Sequence, residues 1–178
     1  MPVRVGINGF GRIGRLSFRA IVNKYGLDGD VQVVALNDLT DAATNAHLLK
    51  YDTSHGRFSC RVEPFEGGIC VNGDAIALYA EADPIELPWK ELDIDVVLEC
   101  TGVFHSRQHA NWHLSAGAKK VLFSHPADTD IDATIIYGIN QQLLTAQMSV
   151  VSAGSCTTNC IVPVIQVLDQ HFGVESGT

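Results

Sequence analysis

Val3-Arg4-Val5-Gly6-Ile7-Asn8-Gly9-Phe10-Gly11-Arg12-Ile13-Gly14 is the stretch that decides the fold. Val3 to Ile7 is an apolar run of strand length. Arg12 to Tyr25 places Ile13, Leu16, Ile21 and Val22 where one helix face needs them. Between the two, the glycines repeat as G-x-G-x-x-G. Gly9 permits a tight turn, Gly11 lets backbone approach a pyrophosphate, and Gly14 lets the helix pack close on the strand. The helix N-terminus then offers its N–H groups to the phosphates. A glycine triplet alone is weak evidence; a strand before it and a helix after it supply the context of a dinucleotide site. The expectation is an α/β protein with a Rossmann-type, mostly parallel sheet.

Outward from this stretch, Val31 to Leu36 reads as the next strand and ends in Asn37-Asp38. Asp38 lies 24 residues past Gly14, near the spacing of about 20 for a ribose-binding acid. A carboxylate there accepts from the 2′-hydroxyl of NAD and repels the 2′-phosphate of NADP. The alternative for Asp38, less favoured than the ribose, is the N-cap of the helix expected over Asp41 to Lys50, to which Thr40 is also suited. Phe58 to Tyr79 changes character: short alternating runs are broken at Gly67-Gly68 and Asn72-Gly73, which predicts antiparallel hairpins at the sheet edge. Pro84 and Pro88 bracket a loop. Asp95 to Glu99 is a buried strand ending in Cys100-Thr101-Gly102, and ligands of open α/β sheets bind at such carboxyl ends, so Thr101 and Gly102 fall at the crevice. Ser106 to Ala116 reads as helix and Lys119 to Phe123 as strand, with Ser124-His125-Pro126 its carboxyl-end loop. Thr134 to Tyr137 and Met148 to Val151 read as the remaining strands.

After that last strand comes Ser152-Ala153-Gly154-Ser155-Cys156-Thr157-Thr158-Asn159-Cys160. It opens a segment with Ile161, Val164, Ile165, Leu168 and Phe172 on one face and Gly173 as its stop. Cys156 therefore falls between a strand end and a helix start, where aligned N–H groups favour an anion and hence a thiolate. That suits a covalent catalyst; a buried cysteine in a tight turn gives the same pattern.

The chain has 178 residues, 46% of them hydrophobic, and a net charge of −8. That length fits one domain, or one domain and part of another. The absence of a basic cluster argues against nucleic acid. No apolar run is long enough for a membrane span and none resembles a signal peptide, which points to the cytoplasm. Five cysteines without zinc-like pairing indicate reduced thiols and no metal. His105, His109 and His113 recur every four residues, but no carboxylate or cysteine ligand accompanies them. The expectation for them is a solvated helix face.

Four stretches together resemble the glyceraldehyde-3-phosphate dehydrogenase superfamily: Asn8 to Arg15, Leu49 to Phe58, Cys100 to Phe104, and Ser155 to Cys160. Three others resemble its erythrose-4-phosphate dehydrogenase branch: Leu122-Phe123-Ser124-His125-Pro126, Ile131 to Gly138, and Phe172 to Thr178. The resemblance implies a NAD-binding domain over residues 1–154 and the start of a catalytic domain, with its first helix, over 155–178. It implies that Cys156 is the nucleophile, with Ser155 and Thr157 beside it contacting a small phosphorylated aldehyde. It implies NAD contacts from Gly9, Phe10, Gly11, Arg12, Ile13, Asp38, Thr101, Gly102 and Ser124. The implied reaction is NAD-dependent oxidation of D-erythrose 4-phosphate to 4-phosphoerythronate in pyridoxal phosphate synthesis, by a full-length homotetramer. Phosphorylating oxidation of glyceraldehyde 3-phosphate in glycolysis is the alternative.

Three departures accompany the resemblance. Ala153-Gly154 stands where the family usually reads Asn-Ala. Ala82 stands where it commonly has Arg, removing a cationic contact near the adenine. The family's general-base histidine and most of its phosphate ligands would fall after Thr178, so the segment given is expected to be inactive by itself. A NAD-binding module without chemistry, and an interaction protein keeping only the fold, remain open; the intact glycines and Asp38 argue against the second.

Overall fold

The computed structural model describes residues 1–177. The chain order is β1 (Val3–Asn8), α1 (Arg12–Tyr25), β2 (Val31–Asn37), α2 (Ala42–Lys50), β3 (Tyr51–Asp52), β4 (Gly56–Arg57), β5 (Val62–Phe65), β6 (Gly68–Val71), β7 (Asp74–Tyr79), β8 (Val96–Glu99), α3 (Arg107–Ser115), β9 (Lys120–Phe123), β10 (Ala133–Thr134), β11 (Val150–Ser152) and α4 (Cys156–Phe172). Among the described residues the main sheet has nine strands in the order β10-β11-β9-β8-β1-β2-β7-β6-β5, and β3-β4 form a separate small hairpin. Every pairing from β10 across to β7 is parallel; only β7-β6 and β6-β5 are antiparallel. The expected hairpins exist, and they join the sheet through a parallel partner, since β7 runs alongside β2. Their turns need left-handed backbone: Gly67 has φ 90°, Asn72 53° and Gly73 105°.

Alternation along β1 divides the interior. Val5 and Ile7 enter one core with Phe10, Phe18, Leu36, Leu49 and Phe58. Phe10 meets Phe18 edge-on at 5.9 Å between ring centroids. Gly6 and Asn8 face the other side, where Trp89, Ala35 and Val97 form a second core. Gly6 is there for space: a Cβ on it would sit 3.0 Å from the Trp89 indole. No helix among the described residues is long and apolar enough to cross a membrane.

Two expectations need correction. The strand placed over Thr134 to Tyr137 is only Ala133–Thr134. The Asn140 side chain ends it, accepting from the Ile136 N–H at 2.7 Å and donating to Thr134 O at 3.0 Å, so the chain turns away. The three histidines in and just before α3 are not a solvated face. His105 is exposed, but His109 closes a capping box with Ser106, and His113 is fully buried. The apolar face of α4 forms at the expected spacing, and none of that helix's residues is buried among the described residues.

Asp52 ties the β3-β4 hairpin to α1. Above all the His55 N–H, then the His55 ring, the Ser54 N–H and the Arg12 guanidinium, hold its carboxyl down at about 2. Arg107 and the N–H groups of Val150 and Ser149 likewise hold the Asp132 carboxyl well below its ordinary value, pinning α3 to β11. Lowered carboxyls stabilise the fold fully above the unfolded value near 4, and that contribution is lost as pH falls through the folded values. The urea midpoint is therefore expected to fall between about pH 4 and pH 2. Asp132→Asn should have a lower midpoint at pH 7 and a shallower decline over that interval. An unchanged decline would contradict this role.

Candidate active site

Because the strands from β10 to β7 are parallel, their carboxyl ends share one edge, and the sequence-predicted residues follow those ends. Asp38 follows β2, Gly9 follows β1, Thr101 and Gly102 follow β8, Ser124 follows β9, and Ser155-Cys156 follow β11. These strands are successive neighbours, so the row spans about 19 Å at about 4.8 Å per strand.

A cleft of about 370 Å³ opens at one end of this row. It is lined by Asn8, Gly9, Gly11, Asp38, Thr101 and Phe104, with Asn37, Leu39, Glu81, Ala82, Cys100 and Val103. Its glycines have steric reasons. A Cβ on Gly9, whose φ is +86°, would lie 2.6 Å from the Thr101 nitrogen, and one on Gly14 would lie 2.2 Å from Gly9 O. A Cβ on Gly11 would point into open space, meeting nothing within 4 Å, and no side chain caps α1. The first turn of α1 thus faces open space with its N–H groups uncapped, a fit for a phosphate.

Asp38 is not a helix cap; Asp41 caps α2, accepting from the Thr44 N–H at 2.9 Å. The Asp38 carboxylate instead braces the glycine turn. One oxygen accepts from the Phe10 N–H at 2.8 Å and the other from the Thr40 N–H at 2.9 Å. A fixed negative charge therefore stands at the cleft rim. Not every predicted residue lines the cleft. Phe10 contributes backbone, its ring being buried in the core. Arg12 pairs with Asp52 at 3.0 Å, and Ile13 is exposed at the start of α1. Ala82 lies in the wall beside Leu39, presenting a methyl where the resemblance implies a guanidinium.

The residues that sequence reasoning missed lie under the cleft. Asn37, Asn8 and Glu99 are direct neighbours across β2, β1 and β8, and all three are buried. Asn37 Nδ2 donates to Asn8 Oδ1 at 2.7 Å, and Asn8 Nδ2 donates to Glu99 Oε2 at 2.6 Å. Behind Glu99, buried Trp89 donates its indole N–H to His113 Nδ1 at 3.0 Å. That leaves the ring proton on His113 Nε2, which donates to Glu99 Oε2 at 3.0 Å. The available signal was a polar residue closing each of three apolar strands, Ile7-Asn8, Leu36-Asn37 and Leu98-Glu99.

Cys156 begins α4 and is exposed. Ser155 is the N-cap and accepts from the Thr158 N–H at 2.9 Å. Thr157 Oγ1 lies 3.9 Å from the Cys156 sulfur, and no histidine among the described residues bonds to that sulfur. The preceding turn is tightly built. Buried Ser152 donates to His125 O at 2.7 Å and accepts from the Gly154 N–H at 2.9 Å. Asn159 Nδ2 reaches back to Ala153 O at 2.7 Å and Ser155 O at 2.9 Å. Gly154 has φ +71°, and a Cβ there would sit 2.7 Å from Ile136 Cδ1. Glycine is thus what this version of the turn requires. Among the described residues no group of histidine, cysteine and acidic side chains is arranged to hold a metal.

Comparison with known families gives two matches. Residues 3–107 match the family described as glyceraldehyde 3-phosphate dehydrogenase, NAD binding domain. Residues 155–178 match the one described as glyceraldehyde 3-phosphate dehydrogenase, C-terminal domain.

Exposure and burial set the order in which the thiols should react. Cys156 and Cys160 are exposed, Cys60, Cys70 and Cys100 are not, and burial pushes the Cys100 thiol up to about 11. Brief iodoacetamide treatment at neutral pH with mass-spectrometric mapping should label Cys156 first and Cys100 last. Labelling of Cys60 or Cys70 before Cys156 would refute the placement. Gly154→Ala should cost of order 1–3 kcal/mol from the left-handed backbone alone and slow labelling of Cys156 without changing that of Cys60.

Proposed function

Since the chain belongs to the glyceraldehyde 3-phosphate dehydrogenase family, with NAD as its cofactor, we propose that Cys156 is the nucleophile of an NAD-dependent aldehyde dehydrogenase whose substrate is D-erythrose 4-phosphate. The observation that carries the proposal is the placement of an exposed cysteine at the first residue of α4, on the sheet edge that also forms the cleft.

Each part of the edge has a task in this reading. The uncapped first turn of α1 holds the pyrophosphate, with Gly9 and Gly11 keeping backbone low beneath it. Asp38 takes the adenine-ribose hydroxyls, and its charge excludes a 2′-phosphate. Leu39, Ala82, Val103 and Phe104 give the adenine an apolar slot. Ser124, one strand nearer to Cys156, lies toward the nicotinamide. Phe10, Arg12 and Ile13, at the turn into α1, and Gly102, in the loop after β8, complete the cofactor contacts.

The Cys156 thiolate adds to the aldehyde carbon, forming a C–S bond as the C=O π bond opens to a thiohemiacetal oxyanion. Bound NAD supplies the acceptor for the hydride that leaves this carbon, and a thioester remains on Cys156. Water then attacks the thioester carbon, releasing 4-phosphoerythronate and the thiolate. Covalent capture divides one difficult oxidation into easier steps. Ser155 and Thr157, on either side of Cys156, are placed to contact the substrate. The erythrose assignment is supported by the resemblance at Ser124-His125-Pro126, Ile131 to Gly138 and Phe172 to Thr178.

Steady-state kinetics of the complete protein on both aldehydes, with and without inorganic phosphate, test the substrate. Erythrose 4-phosphate should give the higher kcat/KM without phosphate. Preference for glyceraldehyde 3-phosphate with an absolute phosphate requirement would transfer the assignment to the glycolytic reaction. Cys156→Ala should abolish turnover of both and leave NAD affinity unchanged. Calorimetry should show NAD bound more tightly than NADP, and Asp38→Asn should narrow the difference. Equal affinities in the unsubstituted protein would remove Asp38 from its role.

A further inference from the structure

We propose that Glu99 is a positioning residue of the cofactor cleft: it holds the Thr101–Phe104 wall in its binding shape through Thr101, and Trp89 and His113 hold Glu99 from behind. The inference rests on the reading of this cleft as the NAD site.

Glu99 has no exposed surface and touches no part of the open cleft itself. Its Oε1 accepts both groups of Thr101, the backbone N–H at 2.8 Å and the hydroxyl. With its proton committed to Glu99, the Thr101 hydroxyl can only accept on its other side. It does so from the Val103 N–H at 3.3 Å. Phe104 is held independently, its carbonyl oxygen being 2.8 Å from His125 Nε2. Thr101, Val103 and Phe104 all line the cleft. One buried carboxylate thereby fixes a stretch of wall that has no regular secondary structure of its own.

Every partner of Glu99 is a donor: Asn8 Nδ2, His113 Nε2, and the Thr101 N–H and hydroxyl. Asn8 cannot reverse its amide, because Asn8 Oδ1 is accepting from Asn37. His113 cannot move its proton, because Nδ1 is accepting from Trp89. The shell therefore demands two acceptor oxygens, and an amide in place of the carboxylate leaves a donor facing a donor. The opposite wall is set by the same row, since Asn37 exchanges bonds of 2.8 Å with the backbone N–H and C=O of Glu81, next to Ala82.

The test is a double-substitution cycle read by calorimetric titration with NAD and with AMP. The variants are Glu99→Gln, Thr101→Val and the pair. Thr101→Val removes one donor at the cleft edge and keeps the branched shape. Each single variant should weaken AMP and NAD by a similar factor, about tenfold for Glu99→Gln, the size of one mispaired buried donor. Thr101→Val should weaken them by less. The pair should bind no more weakly than Glu99→Gln alone, because Glu99 acts through Thr101. Iodoacetamide labelling of Cys156 should be unchanged in all three, which general loosening of the fold would not allow. Multiplicative losses in the pair would overturn the proposal. So would unchanged affinity in Thr101→Val, which remains a test if Glu99→Gln fails to fold. Failure of the unsubstituted protein to bind either ligand would instead remove the NAD reading of the cleft, and the proposal with it.

Discussion

Three buried polar side chains, Asn37, Asn8 and Glu99, close the central strands side by side, and the architecture of the cleft depends on their satisfying one another. A carboxylate with no solvent contact is costly unless donors surround it. Here they do, and each donor is itself fixed by a further partner, out to Trp89 on one side and the Glu81 backbone on the other. Among the described residues no buried side-chain nitrogen or oxygen lacks a partner. The row also imposes register. A one-residue slip of β1 against β8 would turn Asn8 to the apolar core and leave Glu99 facing hydrocarbon. Chemistry at the strand ends and alignment of the sheet are therefore the same constraint.

The cysteine end of the edge is organised differently. Its turn is short, left-handed at Gly154 and closed by side chains reaching back from α4 and β11. The left-handed backbone at Gly154 favours glycine, and the Ile136 side chain packs against the space it leaves. Ala153-Gly154 is thus part of a coherent local solution, in which the small residue at 154 accommodates the branched one at 136. The cleft is shaped from below by buried hydrogen bonds, and Cys156 is presented by a turn. The sheet carries both, and His125 links them: its ring bonds Phe104 O in the cleft wall and its carbonyl accepts from Ser152 below the turn.

Much of this was legible in the sequence. Helix α1 occupies the residues its periodicity gave, and α4 begins at Cys156 and stops at Gly173 where expected. The glycine turn declared its own geometry, because the left-handed backbone at Gly9 and the close approach of Gly14 to Gly9 O are local requirements. Most of what stayed hidden is non-local. His113 sits at the same four-residue spacing as His105 and His109, yet it is buried, because Trp89 and Glu99, distant in sequence, meet it in space. Asn140 ending β10 is a side-chain interaction that strand propensity does not register. That β7 would run parallel to β2 depended on sheet order, not on hairpin signals. The spacing of Asp38 suggested two fates, and the fold removed one of them by giving the cap to Asp41.

The central claim is that one pre-shaped edge, braced from beneath by the Asn37–Asn8–Glu99 row, receives the dinucleotide. A crystal structure of the protein with NAD bound tests it most directly. The account predicts adenine ribose at Asp38, pyrophosphate at the first turn of α1, and nicotinamide toward Cys156. Glu99, His113 and Trp89 should keep the hydrogen bonds described above. A dinucleotide seated elsewhere, or a Thr101–Phe104 wall that must break from Glu99 to admit it, would contradict the account.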